Sequence, residues 1–121
     1  MVEFHSCSVH SPQDIGWVKI DVRDLHEGVE NPNKIVPKLL IGAFVLRSNI
    51  NLHVNCVGGI TRSPSILAGI LVIAGFANSF EEGLKIVKMK DINANPTNID
   101  FINSVKKAII LTKNQMLIGS S

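Results

Sequence analysis

The chain has 121 residues, 45% of them hydrophobic and 18% charged, which suits one compact domain and leaves little room for two. Twelve Lys and Arg against ten Asp and Glu leave a formal charge of +2, too mild and scattered to support a nucleic-acid groove but compatible with a small anionic ligand. The two cysteines, Cys7 and Cys56, cannot build a disulfide framework, and no Cys/His cluster has zinc-site spacing, so a reducing, intracellular setting is expected.

The N-terminus, Met1-Val2-Glu3-Phe4-His5, carries neither a basic segment followed by an apolar run nor a transit-like composition, and a cytoplasmic location is the expectation. A short strand is expected within Val2–Ser8, its length limited by Ser11-Pro12. Trp17-Val18-Lys19-Ile20-Asp21-Val22 alternates apolar and polar residues, the pattern of a half-buried strand, and ends at Arg23-Asp24 before a polar loop. From about Asn33 to Ser48, the residues Ile35, Leu39, Leu40, Ala43, Phe44 and Leu46 predict a helix, one that tolerates Pro37 only in its first turn.

Ile50-Asn51-Leu52-His53-Val54-Asn55 alternates again and runs into Cys56-Val57-Gly58-Gly59-Ile60-Thr61-Arg62, after which an apolar helix begins. The apolar stretch from Ser65 to Ala77 falls short of the ~20 residues of a membrane span and reads as a buried core helix. Its glycines, Gly69 and Gly75, are assigned to close helix packing. Ser79 with Glu82 forms a capping box for a helix to about Lys90. Thr97 with Asp100 starts a last helix carrying Phe101, Val105, Ala108 and Ile109. The order predicts an α/β fold with a small, largely parallel central sheet flanked by helices, as one domain over 1–121 without repeats or linkers.

A loop between the end of a strand and the start of a helix is an anion site in α/β proteins, because successive backbone N–H groups and the positive helix end converge there. This loop lacks the Lys-Ser/Thr ending of a nucleotide-binding P-loop. It offers Cys56 at its start and Arg62 at its end. A thiol in such a field ionises below its usual range and becomes a nucleophile. Arg62 supplies a planar, permanently charged fork for two oxygens of a tetrahedral oxyanion. Phosphoryl transfer to water also needs a carboxylic acid to protonate the leaving oxygen. Asp24, just past the first long strand, is the first choice; Asp21 is the second, because strand alternation turns it to the face opposite Ile20 and Val22. A cysteine followed at a distance by an arginine also arises by chance, and a free cysteine is commonly plain core.

These residues resemble the cysteine-dependent protein phosphatases, and among them the small atypical dual-specificity phosphatases. The family's loop, His-Cys-x-x-Gly-x-x-Arg-Ser, is matched by Cys56, Gly59, Arg62 and Ser63. The resemblance covers about residues 17 to 110, with Arg62-Ser63-Pro64-Ser65 at the helix start, Glu82 to Lys88 in the next helix, and Asn98-x-x-Phe101 beyond it. It implies a general-acid aspartate about thirty residues before the cysteine, and Asp24 precedes Cys56 by 32. It further implies a metal-free, cofactor-free hydrolysis of phosphotyrosine and phosphoserine/threonine on proteins through a phosphocysteine. Val57, Gly58, Gly59, Ile60, Thr61 and Arg62 would cradle the phosphate, a place that inorganic phosphate or sulfate would also fill, and Ser63 would support the departing thiolate.

Asn55 stands where the family has histidine, and its amide hydrogen-bonds but carries no charge, which predicts a less acidic thiol and slower turnover. The resemblance implies a further strand and helix before the Trp17 strand, of which this sequence is expected to lack part, leaving a sheet edge open. Uncharged residues between Cys56 and Arg62 favour phosphoprotein over phosphoinositide substrates. Three other readings share features of the loop: a phosphate-binding pseudophosphatase, an RNA 5′-phosphatase, and a sulfurtransferase with a persulfide on the cysteine. Elsewhere, Cys7 reads as an ordinary thiol rather than a redox partner of Cys56. His5, His10, His26 and His53 form no ligand pattern, and Lys85, Lys88 and Lys90 read as a solvated helix face.

Overall fold

The computed structural model describes residues 3–6, 17–55, 62–92 and 94–119. Cys7 and the segment 56–61 lie outside them. In chain order the elements are β1 (Phe4–Ser6), β2 (Trp17–Asp21), α1 (Pro32–Arg47), β3 (Asn51–Asn55), α2 (Arg62–Ala74), α3 (Phe80–Lys90) and α4 (Ile99–Gly119). The three strands form one parallel sheet in the order β1-β3-β2; the parallel neighbours β2 and β3 are joined through α1, the crossover such a pair needs.

In β2, Ile20 is buried and Val18 half-buried while Lys19 and Asp21 are exposed, so the period-two reading of this strand holds. The central strand β3 is different: Leu52, His53 and Val54 are all buried, the mark of a strand covered on both faces. Leu52 and Val54 join Ile20 and Val22 in a core completed by Ile35, Leu39, Leu46, Ile66, Ile70, Phe101 and Val105.

Helix α2 occupies the middle of the molecule. Every residue from Arg62 to Ile73 is buried, because α2 packs against β3 and β1 on one side and against α1, α3 and α4 around the rest of its circumference. Three glycines set these approaches. A Cβ at Gly42 would lie 2.3 Å from Ile70 Cδ1, one at Gly69 would lie 2.9 Å from Leu39 Cδ2, and one at Gly83 would lie 2.6 Å from the backbone oxygen of Ala68. Gly75 has another task than the packing assigned to it. It has φ +90° and no neighbour within 4 Å of an added Cβ, and it closes α2 with bonds from Gly75 N to Val72 O and from Phe76 N to Leu71 O, a Schellman motif.

Helix α1 begins one residue earlier than the apolar pattern suggests, because Asn31 caps it by accepting from Asn33 N at 3.0 Å and Pro32 takes the first helical position. Pro37 therefore sits in the second turn and not the first, where the helix forgoes one bond. Its buried face comprises Ile35, Val36, Leu39, Gly42, Ala43, Val45 and Leu46. Leu40 and Phe44 are exposed, Phe44 to 71%, so these two do not belong to the core face. The α1 C-terminus closes on Asn49 at φ 59°, with Ile50 N bonded to Val45 O. Ser79 caps α3 by accepting from Glu82 N at 3.1 Å. Helix α4 is capped by Asn98, whose side chain accepts from Phe101 N at 3.1 Å, rather than by Thr97.

Candidate functional site

Strands β2 and β3 are adjacent and parallel, with Asp21 opposite Asn55, so the chain leaves both at the same edge of the sheet. Val22 N extends the pairing by donating to Asn55 O at 2.9 Å. The loop 22–31 departs from that edge, the end of the strands outside which open parallel sheets bind ligands.

Arg62, the first residue of α2, ties the two together. It is 6% exposed, and its Nη1 donates to Leu25 O at 2.9 Å and to Arg23 O at 3.2 Å, the carbonyls on either side of Asp24. Its Nη2 lies 3.4 Å from Glu27 Oε1. A buried guanidinium needs such partners, and carbonyl oxygens satisfy it without cancelling its charge. Ser63, next on α2, is fully buried.

The loop 22–31 is shaped by its own carboxylates. Glu30 is buried; its two oxygens accept from the backbone N–H groups of His26 and Asn31, and its own N–H donates to Ser104 Oγ on α4 at 3.0 Å. Burial works to raise the Glu30 carboxyl, but these backbone donors, helped by Lys34, outweigh it and hold the group below its ordinary value. The loop is thereby fixed to helix α4.

Asp24 points into solvent and pairs with Lys38 Nζ at 3.2 Å; the same ammonium donates to Asp21 O at 2.8 Å. Asp21 is engaged differently. Arg23 Nε and Nη2 grip its carboxylate at 2.6 to 3.0 Å, and Arg23 N adds a bond at 2.9 Å. The Arg23 side-chain bonds first, then its backbone N–H, hold the Asp21 carboxyl below the usual carboxylate range, on the face of the sheet away from Ile20.

Of the residues singled out in the sequence, Arg62 and Asp24 are thus brought to one edge, and Ser63 follows Arg62 on α2, buried; Cys56, Val57, Gly58, Gly59, Ile60 and Thr61 lie outside the described residues. Sequence reasoning missed Glu27, Glu30, Lys38 and Ser104. The Asn31-Pro32 pair, a helix-start signal, would have fixed where the loop ends; nothing in the sequence marks Lys38 or Ser104. Among the described residues no group of three or more His, Cys, Asp or Glu could hold a metal ion, and no helix is long and apolar enough to cross a membrane.

The chain is similar to a solved protein tyrosine phosphatase, the crystal structure of Tk-PTP in its active form, with a TM-score of 0.51 and 17% identity over 72% of this chain and 55% of that one. The fold is protein-tyrosine-phosphatase-like. The match spans about half the length of that phosphatase chain. No family model and no curated protein matches the sequence.

Proposed function

We propose that the protein is a cysteine-dependent phosphatase of the small dual-specificity type, acting on phosphotyrosine and phosphoserine/threonine in proteins. The observation that carries this reading is the bond from Arg62 Nη1 to the carbonyls on either side of Asp24, at the edge where β3 delivers Asn55 and then Cys56. One end of the Cys56–Arg62 segment is thereby joined to the backbone of the Asp24 loop. Support comes also from the motif of Cys56, Gly59, Arg62 and Ser63, and from the phosphatase-like fold.

In the reaction, the Cys56 thiolate attacks phosphorus. The S–P bond forms as the P–O bond to the leaving group breaks, and Asp24 gives that oxygen its proton. Asp24, now a carboxylate, takes a proton from water as the water attacks phosphorus; the S–P bond breaks, releasing phosphate and the thiolate, which Ser63 supports. Arg62 and the N–H groups of Val57, Gly58, Gly59, Ile60 and Thr61 hold the equatorial oxygens through both steps. The scheme calls on no metal or cofactor.

Leaving-group dependence tests the roles. Asp24→Asn slows hydrolysis of alkyl and unactivated aryl phosphates by about 10²-fold or more while activated aryl phosphates lose far less; equal losses on both refute Asp24 as the acid. Phosphotyrosine, phosphoserine and phosphothreonine peptides assayed with the wild-type protein test the breadth of substrate. Asn55 in the place of the family's histidine favours one second reading, a pseudophosphatase that binds phosphoproteins; it predicts phosphopeptide binding without release of phosphate.

A further inference from the structure

Two glutamates of the loop 22–31 are used in opposite ways. Glu30 is buried with both oxygens bonded to backbone N–H groups. Glu27 is 74% exposed at its side chain and meets Arg62 Nη2 at 3.4 Å. The other terminal nitrogen, Nη1, is committed to the carbonyls of Arg23 and Leu25, so of the two terminal nitrogens it is Nη2 that faces a carboxylate. One carboxylate oxygen, Oε1, stands there, where an oxygen of a bound phosphate would stand.

We propose that Glu27 is an internal competitor for the anion-binding side of Arg62, displaced when a phosphate group binds, and that it thereby sets the affinity and charge selectivity of the site. The proposal rests on the reading of the Cys56–Arg62 segment as a phosphate cradle. An exposed ion pair at this distance is weak, and among the described residues no backbone N–H holds the Glu27 carboxylate in place. A phosphate monoester with two negative charges out-competes one carboxylate at a permanently charged guanidinium. A singly charged anion, such as a phosphodiester, gains far less from the exchange. Glu27 is on this account a specificity-determining residue that favours dianionic monoesters.

The test is calorimetric titration of inorganic phosphate, at fixed ionic strength and pH 7.5, into the wild-type protein, Glu27→Gln and Glu81→Gln. The last is a matched control: it removes the same charge from a carboxylate that pairs with Lys106 at 2.6 Å. Glu27→Gln is expected to bind phosphate about two- to five-fold more tightly, the range that a weak exposed pair spans, with Glu81→Gln unchanged. Equal tightening in both variants would reduce the effect to net charge and overturn the proposal. Unchanged binding by Glu27→Gln would overturn it, and weaker binding would do so by making Glu27 a residue that orients Arg62. Phosphate bound by Glu27→Gln alone supports it. If none of the three proteins binds phosphate, the cradle reading itself fails, a result distinct from binding that Glu27 does not influence.

Discussion

Arg62 is bound into the fold by two hydrogen bonds from its charged guanidinium, and Arg62→Ala measures how firmly. The substitution removes the donors to Leu25 O at 2.9 Å and Arg23 O at 3.2 Å, together with a looser ion pair to exposed Glu27. Hydrogen bonds from a charged donor contribute about 1.5–3 kcal/mol each, and the exposed pair adds no more than ~1 kcal/mol. Water reaches the vacated carbonyls from the loop side, where Arg23 is exposed, and recovers part of the loss. The expected net destabilisation is about 2–4 kcal/mol, a fall in Tm of about 8–15 °C for a domain of this size. Arg62→Lys keeps the charge but not the fork and is expected to lose about half as much. Urea and thermal unfolding at pH 7 decide the matter. A loss under about 0.5 kcal/mol for Arg62→Ala would refute the claim that this guanidinium anchors the Asp24 loop, whatever its effect on phosphate.

Glu30→Gln tests the pH dependence of the same loop: a carboxyl held below its ordinary value of about 4.3 contributes stability that is complete above that value and is lost as pH falls through the folded one. The variant is therefore less stable than wild type at pH 7, with the gap closing below pH 5 in urea titrations; a gap independent of pH would contradict this. Gly83→Ala places a Cβ 2.6 Å from Ala68 O, backbone that cannot move aside, and is expected to cost about 2–3 kcal/mol in urea unfolding; a neutral result would contradict the close crossing of α2 and α3. Asn55→His restores the family's residue before the cysteine and is expected to lower the pH at which Cys56 is alkylated by iodoacetamide. No change would mean that the loop amides and the helix end set thiol acidity alone.

Much of the fold was legible because its signals are local. Alternation at Trp17–Asp21, the continuous apolar run of α2 and the Ser79 cap each lie within a few residues of sequence. The errors arose where a neighbour overrides a pattern. Leu40 and Phe44 fit a helical stripe, yet the buried face of α1 takes in Val36, Gly42 and Val45 instead and leaves those two larger residues exposed. His53 sits at a polar position of an alternating strand and is buried because β3 is central. At the candidate site, the strand-loop-helix order brought out Arg62 and Asp24, whose proximity follows from parallel neighbours ending together. The tertiary ties that hold Asp24's loop, Lys38 from α1 and Ser104 from α4, join residues far apart in the chain and leave no trace in spacing.

The central claim is cysteine catalysis at the end of β3, and its most direct test is hydrolysis of an activated aryl phosphate in the presence of EDTA, comparing wild type with Cys56→Ser across pH 5 to 8. The account predicts turnover by the wild type that survives the chelator and vanishes in Cys56→Ser. Turnover that persists in Cys56→Ser, or a wild type that releases no phosphate at any pH in this range, would contradict it.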